Sequence, residues 1–185
     1  KVVAPASLTL DDITLDSGIT TSADTPPGGG AIYSNGTLAL NHVTIQNSTT
    51  APNLCGGAIF ANGTVIISNS SFNNNTADYA GGVICTGNNV PTTTVQIANS
   101  SFNLNKATST AVNTGKGGVI YMNVNGGTLT ITDSAFGNNQ AQYGGALYID
   151  QGGIATLQTQ STANTTYFLN NYARDSGGAV FNQGS

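Results

Sequence analysis

Residues 56–84 read GGAIFANGTVIISNSSFNNNTADYAGGVI and contain one full unit of a pattern that recurs along the chain. The unit opens with a Gly-Gly pair, a small residue and a branched aliphatic residue, and the same kind of motif closes it. This glycine motif occurs six times in 185 residues, at spacings of 27, 25, 36, 27 and 33 residues. Its copies are Gly29-Gly30-Ala31-Ile32, Gly56-Gly57-Ala58-Ile59, Gly81-Gly82-Val83-Ile84, Gly117-Gly118-Val119-Ile120, Gly144-Gly145-Ala146-Leu147 and Gly177-Gly178-Ala179-Val180.

A second motif, Phe-x-x-Asn, lies between the glycine motifs. A short segment with alternating apolar and polar residues precedes it, such as Val95-Gln96-Ile97 or Leu129-Thr130-Ile131. Alternation with a period of two is typical of a strand with one buried face. Each unit is therefore predicted to hold three short strands separated by Gly and Asn corners. The four copies of the second motif are Phe72/Asn75, Phe102/Asn105, Phe136/Asn139 and Phe168/Asn171.

The fixed order of the motifs distinguishes two all-β folds. Asn-Gly pairs at 35–36, 62–63 and 125–126 are typical of hairpins and would favour an antiparallel meander. A meander has no reason to repeat the same residue types in fixed order, whereas a solenoid stacks equivalent positions of successive coils. The sequence therefore predicts a parallel β-helix of about six coils, right-handed because parallel crossovers almost always are.

We assign residues 1–185 to a single β-helix fragment. Residues 1–28 are interpreted as an incomplete first coil with a Pro/Gly loop, and residues 29–185 as regular coils. The sequence begins and stops within a coil pattern, so we expect an open-ended piece of a longer solenoid.

Stacked coils lie about 4.8 Å apart and place equivalent side chains in rows. We expect an internal stack of the motif phenylalanines and a corner ladder of the motif asparagines, to which we assign the left-handed backbone. The last residues of the glycine motifs form an inward aliphatic row. The residues that follow them point outward, either as an exposed ligand-stacking stripe or beneath a covering loop. They are Tyr33, Phe60, Cys85, Tyr121, Tyr148 and Phe181.

Charged residues make up only 6% of the chain, which excludes several classes of protein. The chain has four cations (Lys1, Lys106, Lys116 and Arg174), eight aspartates and a net charge of −4. Nucleic-acid binders need a basic face, which so few cations cannot provide. No run reaches the roughly 18 apolar residues of a transmembrane helix, so membrane insertion of this segment is not expected.

Residues suited to catalysis or metal binding are few. Asp11-Asp12 is the only adjacent carboxylate pair, and neighbours on a strand point to opposite faces, whereas glycoside hydrolysis requires facing carboxylates. His42 is the only histidine and is interpreted as a solvated corner residue. We expect no enzymatic activity, no cofactor and no metal site.

The two cysteines, Cys55 and Cys85, are predicted to be free thiols. Counted along adjacent coils they lie about 15 Å apart, which exceeds the reach of a disulfide. A tight corner of the coil would shorten this distance.

The alternation of GGA-[I/L/V] and FxxN motifs across residues 29–182 resembles the passenger region of the polymorphic membrane proteins (Pmp family), the chlamydial autotransporter adhesins. The resemblance implies a surface-exposed β-helix, anchored in the outer membrane in the full-length protein, that binds host-cell surfaces. It also implies that the motif residues belong to the adhesion machinery. Their residue types favour an architectural role instead.

Binding is expected where coils exceed the minimum length, because insertions on a rigid scaffold carry function. The candidate loops are Lys106–Lys116, Gln158–Tyr167 and Ser22–Pro27. The predicted function is a cell-surface adhesin segment whose partner is a host-cell surface protein or glycan. Two alternatives remain: a structural protein whose coils associate end to end into fibres, and a polysaccharide-active β-helix enzyme.

Overall fold

The computed structural model describes residues 6–21, 28–87, 93–123 and 127–183. These residues form short β-strands in groups of four, and each strand joins a parallel sheet of six strands. Sheet 1 holds β1 (Ser7–Asp11), β5 (Thr37–Asn41), β9 (Thr64–Ser68), β13 (Thr94–Ala98), β17 (Thr128–Thr132) and β21 (Ile154–Gln158). Sheet 2 holds β2 (Thr14–Asp16), β6 (Thr44–Gln46), β10 (Ser71–Asn73), β14 (Ser101–Asn103), β18 (Ala135–Gly137) and β22 (Tyr167–Leu169).

Two further sheets complete each coil. Sheet 3 holds β3 (Ile19–Thr20), β7 (Thr49–Thr50), β11 (Thr76–Ala77), β15 (Lys106–Ala107), β19 (Gln140–Tyr143) and β23 (Tyr172–Ser176). Sheet 4 holds β4 (Ile32–Ser34), β8 (Ile59–Ala61), β12 (Ile84–Thr86), β16 (Ile120–Met122), β20 (Leu147–Ile149) and β24 (Val180–Asn182). None of the described residues forms a helix with the length and apolar character needed to cross a membrane.

The predicted parallel β-helix is confirmed. Equivalent residues of successive coils pair in register, as Val65, Val95 and Leu129 do in sheet 1. The chain makes about five turns, close to the predicted six coils. The prediction of three strands per unit is wrong, because sheet 3 adds a fourth. Its first four strands have only two residues each, too few to show an alternating pattern.

The phenylalanine stack is confirmed. The rings of Phe72, Phe102, Phe136 and Phe168 lie nearly parallel with centroids 4.9, 4.8 and 4.8 Å apart. The predicted aliphatic row faces the same interior, and Ile59, Ile84, Ile120 and Leu147 are fully buried. Val180, in the last described coil, is exposed along one side. Each turn therefore shields the apolar edge of its neighbour.

The asparagine ladder is also confirmed, and it satisfies buried backbone groups as well as side chains. The Oδ1 atom of Asn105 accepts hydrogen bonds from the backbone N and the Nδ2 of Asn75, both at 3.0 Å. Its Nδ2 donates to the carbonyl of Phe72 at 3.0 Å and to Oδ1 of Asn139 at 3.1 Å. The same pattern links Asn139 to Asn171.

The left-handed backbone lies one residue earlier than predicted. Asn74 (φ 56°), Leu104 (φ 58°) and Asn138 (φ 54°) make the turn, and the ladder asparagines follow them. The corner between sheets 1 and 2 also has a left-handed residue, at His42 and at equivalent residues of later coils. These are Asn69, Asn99 and Asp133.

The Gly-Gly pairs occupy corners where no side chain fits. The first glycine has a positive φ, such as 71° at Gly56. The second lies against the next coil: a Cβ on Gly82 would lie 2.2 Å from the carbonyl oxygen of Gly118. Backbone packing therefore requires glycine here, as predicted from the repeat.

The prediction of free thiols is wrong, because Cys55 and Cys85 form a disulfide with their Cα atoms 5.6 Å apart. Residue 85 pairs with residue 60 of the coil before. The straight-line count overestimated the gap because the chain turns sharply at Gly56 and Gly57 before it reaches Phe60. The turn brings the two ends of this segment together.

Candidate functional site

The first predicted binding loop projects from sheet 3 at residues 108–115. Ser109 N donates to the carbonyl of Asp78 at 2.8 Å, and Gly115 N donates to that of Tyr79 at 2.7 Å. Both ends of the loop are therefore fixed to the preceding coil. Val112, between them, is 83% exposed. Residues 110–114 form a small projection on a rigid base, which we call loop A.

A groove of about 230 Å³ runs beside loop A. Lys106, Gln140 and Tyr172 occupy equivalent positions on β15, β19 and β23, since Lys106 pairs with Gln140 and Gln140 with Tyr172. Arg174 and Gln142 lie further along the same strands and also line the groove. We call it the cationic groove because it contains two of the four cations of the chain.

Gln142 carries an unpaired acceptor at the cationic groove. The residue is 5% exposed. Its Nε2 donates to Oδ2 of Asp175 at 2.7 Å, which fixes the orientation of the amide. This bond is the main reason that the pKa of Asp175 lies below its usual value, and Arg174 lowers it further. The Oε1 atom of Gln142 is buried and has no hydrogen-bond partner among the described residues.

The second predicted loop, residues 159–166, arches over the corner between sheets 1 and 2. The carboxylate of Asp133 accepts hydrogen bonds from the backbone N atoms of Gln160 at 2.9 Å and Ser161 at 3.1 Å. We call this segment loop B. Asp133, a corner residue with a positive φ, thus also anchors loop B.

A larger groove, of about 420 Å³, lies beneath loop B. Corner residues from three coils, Asn69, Asn99 and Asp133, line it in a row, and Tyr167 borders it. We call it the amide groove. Both predicted loops therefore overhang a concave surface that carries amides and an exposed tyrosine.

Lys116 does not belong to the exposed part of loop A. Its side chain is only 13% exposed, and Nζ lies 3.8 Å from Oδ2 of Asp150. Nζ also lies 4.7 Å and 5.4 Å from the ring centroids of Tyr148 and Tyr121. Burial raises the pKa of Tyr148 to about 12, and burial with the hydrogen bond to Asp150 raises that of Tyr121 as well. Lys116 therefore stabilises the scaffold.

The outward aromatic row is covered, so the interpretation as an exposed stacking stripe is wrong. Phe60, Tyr121 and Tyr148 are buried, and they pack with Cys55 and Ala80 in a second apolar cluster. The segments that precede the glycine motifs turn back over this face, which is the alternative that the sequence left open. The cluster extends the core beyond the interior of the coils.

The motif residues are mostly inaccessible. Asn75, Asn105 and Asn139 are fully buried, as are the phenylalanines between them. A direct role in binding would need these side chains at the surface, so their position favours the architectural interpretation.

Asp11, Asp12 and His42 form an exposed cluster in the first two coils. Their ligand atoms lie within 4.8 Å of one another, and both aspartates lie 3.9 Å from His42 Nδ1. The expectation that the two aspartates diverge is wrong because Asp12 has a φ of 52° and leaves the strand geometry. His42 is solvated, as predicted, with 56% of its side chain exposed.

The candidate site residues predicted from the sequence do not include Gln140, Gln142, Tyr172 or Arg174. A signal was present: positions 106, 140 and 172 each follow a motif phenylalanine by four residues. Recognition of a fourth strand would have aligned them. The loop at Ser22–Pro27 lies outside the described residues, as does Lys1.

Residues 69–87 and 165–183 match the family model of the Chlamydia polymorphic membrane protein (Chlamydia_PMP) repeat. In both stretches the first glycine of the next motif follows the motif phenylalanine by nine positions. Loop A lengthens this separation in the coil of Phe102. No curated protein and no solved structure matches the chain. The chain is thus a parallel β-helix with two stretches that match the repeat of the Chlamydia polymorphic membrane proteins.

Proposed function

We propose that this chain is a non-enzymatic adhesive segment of a surface-exposed passenger domain, and that it binds a host-cell surface protein or glycan. The repeat family and the β-solenoid fold support a passenger domain. One observation supports adhesion most directly: the two insertions that lengthen the coils each overhang a groove. The coils supply the rigid scaffold, and the loops supply the variable surface.

The proposed location is the cell surface, with the full-length protein anchored in the outer membrane. The disulfide between Cys55 and Cys85 agrees with this location, because disulfides form and persist in oxidising compartments.

Excision of loop A tests the proposal. A Cβ on Gly115 would lie 2.2 Å from the carbonyl oxygen of Ser109, so these residues already meet, and deletion of 110–114 can join them directly. We expect the monomeric wild-type chain to bind host cells and the deletion variant to bind several-fold more weakly. Gln96→Ala, on the exposed face of sheet 1, serves as a control and retains binding.

The proposal fails if the folded monomer does not bind any of a panel of host cells, or if variants lacking loop A and loop B bind as well as wild type. Circular dichroism and thermal melting establish that each variant is folded. Incubation with acidic polysaccharides is expected to release no product, whereas product release would favour the enzyme alternative.

End-to-end association is a second proposed function. Large apolar side chains are exposed in the first and last described coils, including Ile19, Ile154 and Leu169. Strands at open edges of sheets tend to pair with other chains. Filaments that form with increasing concentration, without cell binding, would favour this function over adhesion.

A further inference from the structure

We propose that the cationic groove binds a carboxylate-bearing sugar residue. This inference rests on the proposed adhesive function and specifies its ligand. The charge distribution is the first argument. The chain has a net charge of −4 and only four cations, yet Lys106 and Arg174 both line this small groove. Lys116 is paired internally with Asp150.

Both cations are available to a ligand. Nζ of Lys106 has no ion-pair partner among the described residues. Arg174 uses Nε to donate to Oδ1 of Asp175 at 3.2 Å, and its terminal nitrogens have no partner in the described part of the chain. A planar guanidinium with free terminal nitrogens is suited to a carboxylate, and the ammonium group adds a second charge-assisted hydrogen bond.

The buried Oε1 of Gln142 requires a donor. An unpaired buried acceptor is unfavourable, at about 1–3 kcal/mol for groups of this kind, and Gln142 lines the groove. A sugar hydroxyl or N-acetyl N–H that enters the groove would satisfy it, whereas an ionised carboxylate alone has no proton to donate. The ligand therefore carries both an anionic group and a hydrogen-bond donor.

The shape of the groove favours a sugar over an acidic peptide. Tyr172 is exposed beside the cations and offers an aromatic face to the apolar side of a sugar ring. A peptide would gain most from pairing its backbone with a strand, but the groove crosses the face of β15, β19 and β23, which already pair with one another. A volume of about 230 Å³ suits a single sugar residue, because sites for drug-sized ligands start at about 300 Å³.

The test titrates the monomeric chain, by NMR or calorimetry, with sialyllactose, a glucuronate-containing disaccharide, neutral lactose and an acidic peptide. We expect binding of one or both acidic sugars and none of lactose. Which acidic sugar binds more tightly identifies the source of the carboxylate. Lys106→Gln and Arg174→Gln each weaken binding roughly tenfold, the loss expected for a charge-assisted hydrogen bond. Raising the salt concentration from about 0.1 M to about 1 M also weakens binding of the acidic sugar by the wild-type chain.

Lys106→Arg keeps the charge and retains binding, and Gln96→Ala, on the exposed face of sheet 1, leaves binding unchanged. Equal binding of lactose, tighter binding of the acidic peptide, or full binding by both glutamine variants would overturn the inference. Cell adhesion is measured on the same variants. If wild type and the glutamine variants adhere equally and bind no acidic sugar, the inference fails while adhesion stands; if wild type does not adhere, the proposed function fails.

Discussion

Replacement of Asn105 with alanine removes four hydrogen bonds from the interior of the coil stack. The lost partners are Asn75, through its backbone N and its Nδ2, the carbonyl of Phe72, and Oδ1 of Asn139. At about 1 kcal/mol for each bond, the free energy of unfolding falls by about 4 kcal/mol. The backbone N–H of Asn75 is then buried without an acceptor, which adds to the loss. For a chain of this size the melting temperature falls by about 8–16 °C.

Thermal unfolding followed by circular dichroism measures the effect, with Asn103→Ala as the matched control. Asn103 lies two residues earlier, on the outer face, and its Oδ1 accepts one exposed hydrogen bond from Asn138 at 2.9 Å. We expect the control to lose less than about 1 kcal/mol. Hydrogen exchange at the Asn75 amide should accelerate in Asn105→Ala. Equal stability of the two variants would refute the stabilising role of the ladder.

Three further predictions follow from the corners and the covered tyrosines. Leu104 holds a φ of 58°, so Leu104→Asn should stabilise the chain by about 1 kcal/mol in denaturant titrations. Gly82→Ala should prevent folding, because its Cβ would lie 2.2 Å from a backbone oxygen, whereas Gly178→Ala, with its nearest atom at 3.6 Å, should fold normally. Burial raises the pKa of Tyr148 to about 12, and Tyr148→Phe should reduce the loss of stability at alkaline pH while the part due to Tyr121 remains.

The sign of the pH effect follows from the raised pKa. Unfolded tyrosine ionises near pH 10, so the contribution of Tyr148 to stability is complete below that pH and falls as pH rises towards 12, by at most about 1.4 kcal/mol for each pH unit. Tyr121, whose pKa is also raised, adds to the loss. A stability curve that is flat from pH 10 to 12 in the wild-type chain would contradict it. An unfolded Gly178→Ala variant, or a destabilised Leu104→Asn variant, would contradict the geometry at those corners.

The rows of the β-helix were predictable because each repeats one residue type at one position. The phenylalanine and asparagine ladders need only equal spacing in successive coils, and the motifs supply it. Sheet 3 was not predictable by periodicity, since a two-residue strand such as Thr76–Ala77 shows no alternation. The sequence therefore predicted which side chains form the interior, but it predicted one strand too few in each turn.

The candidate site was predictable only in outline. Lengthened coils indicated where loops project, and both loops do overhang grooves. The floor of the cationic groove comes from three different coils, and its chemistry depends on which side chains remain unpaired. Lys106 and Lys116 look equivalent in sequence, yet Lys106 lines the groove and Lys116 is bound to Asp150. Only the three-dimensional arrangement separates them.

The disulfide between Cys55 and Cys85 has a mechanical consequence. If the chain is pulled from its two ends, the disulfide prevents extension between residues 55 and 85, which are 30 positions apart. It therefore withholds roughly 100 Å of contour length at about 3.5 Å for each residue. A shear force that unwinds successive coils would not unwind this turn, because the disulfide holds it covalently. Under reducing conditions the same force would extend the chain to its full contour length.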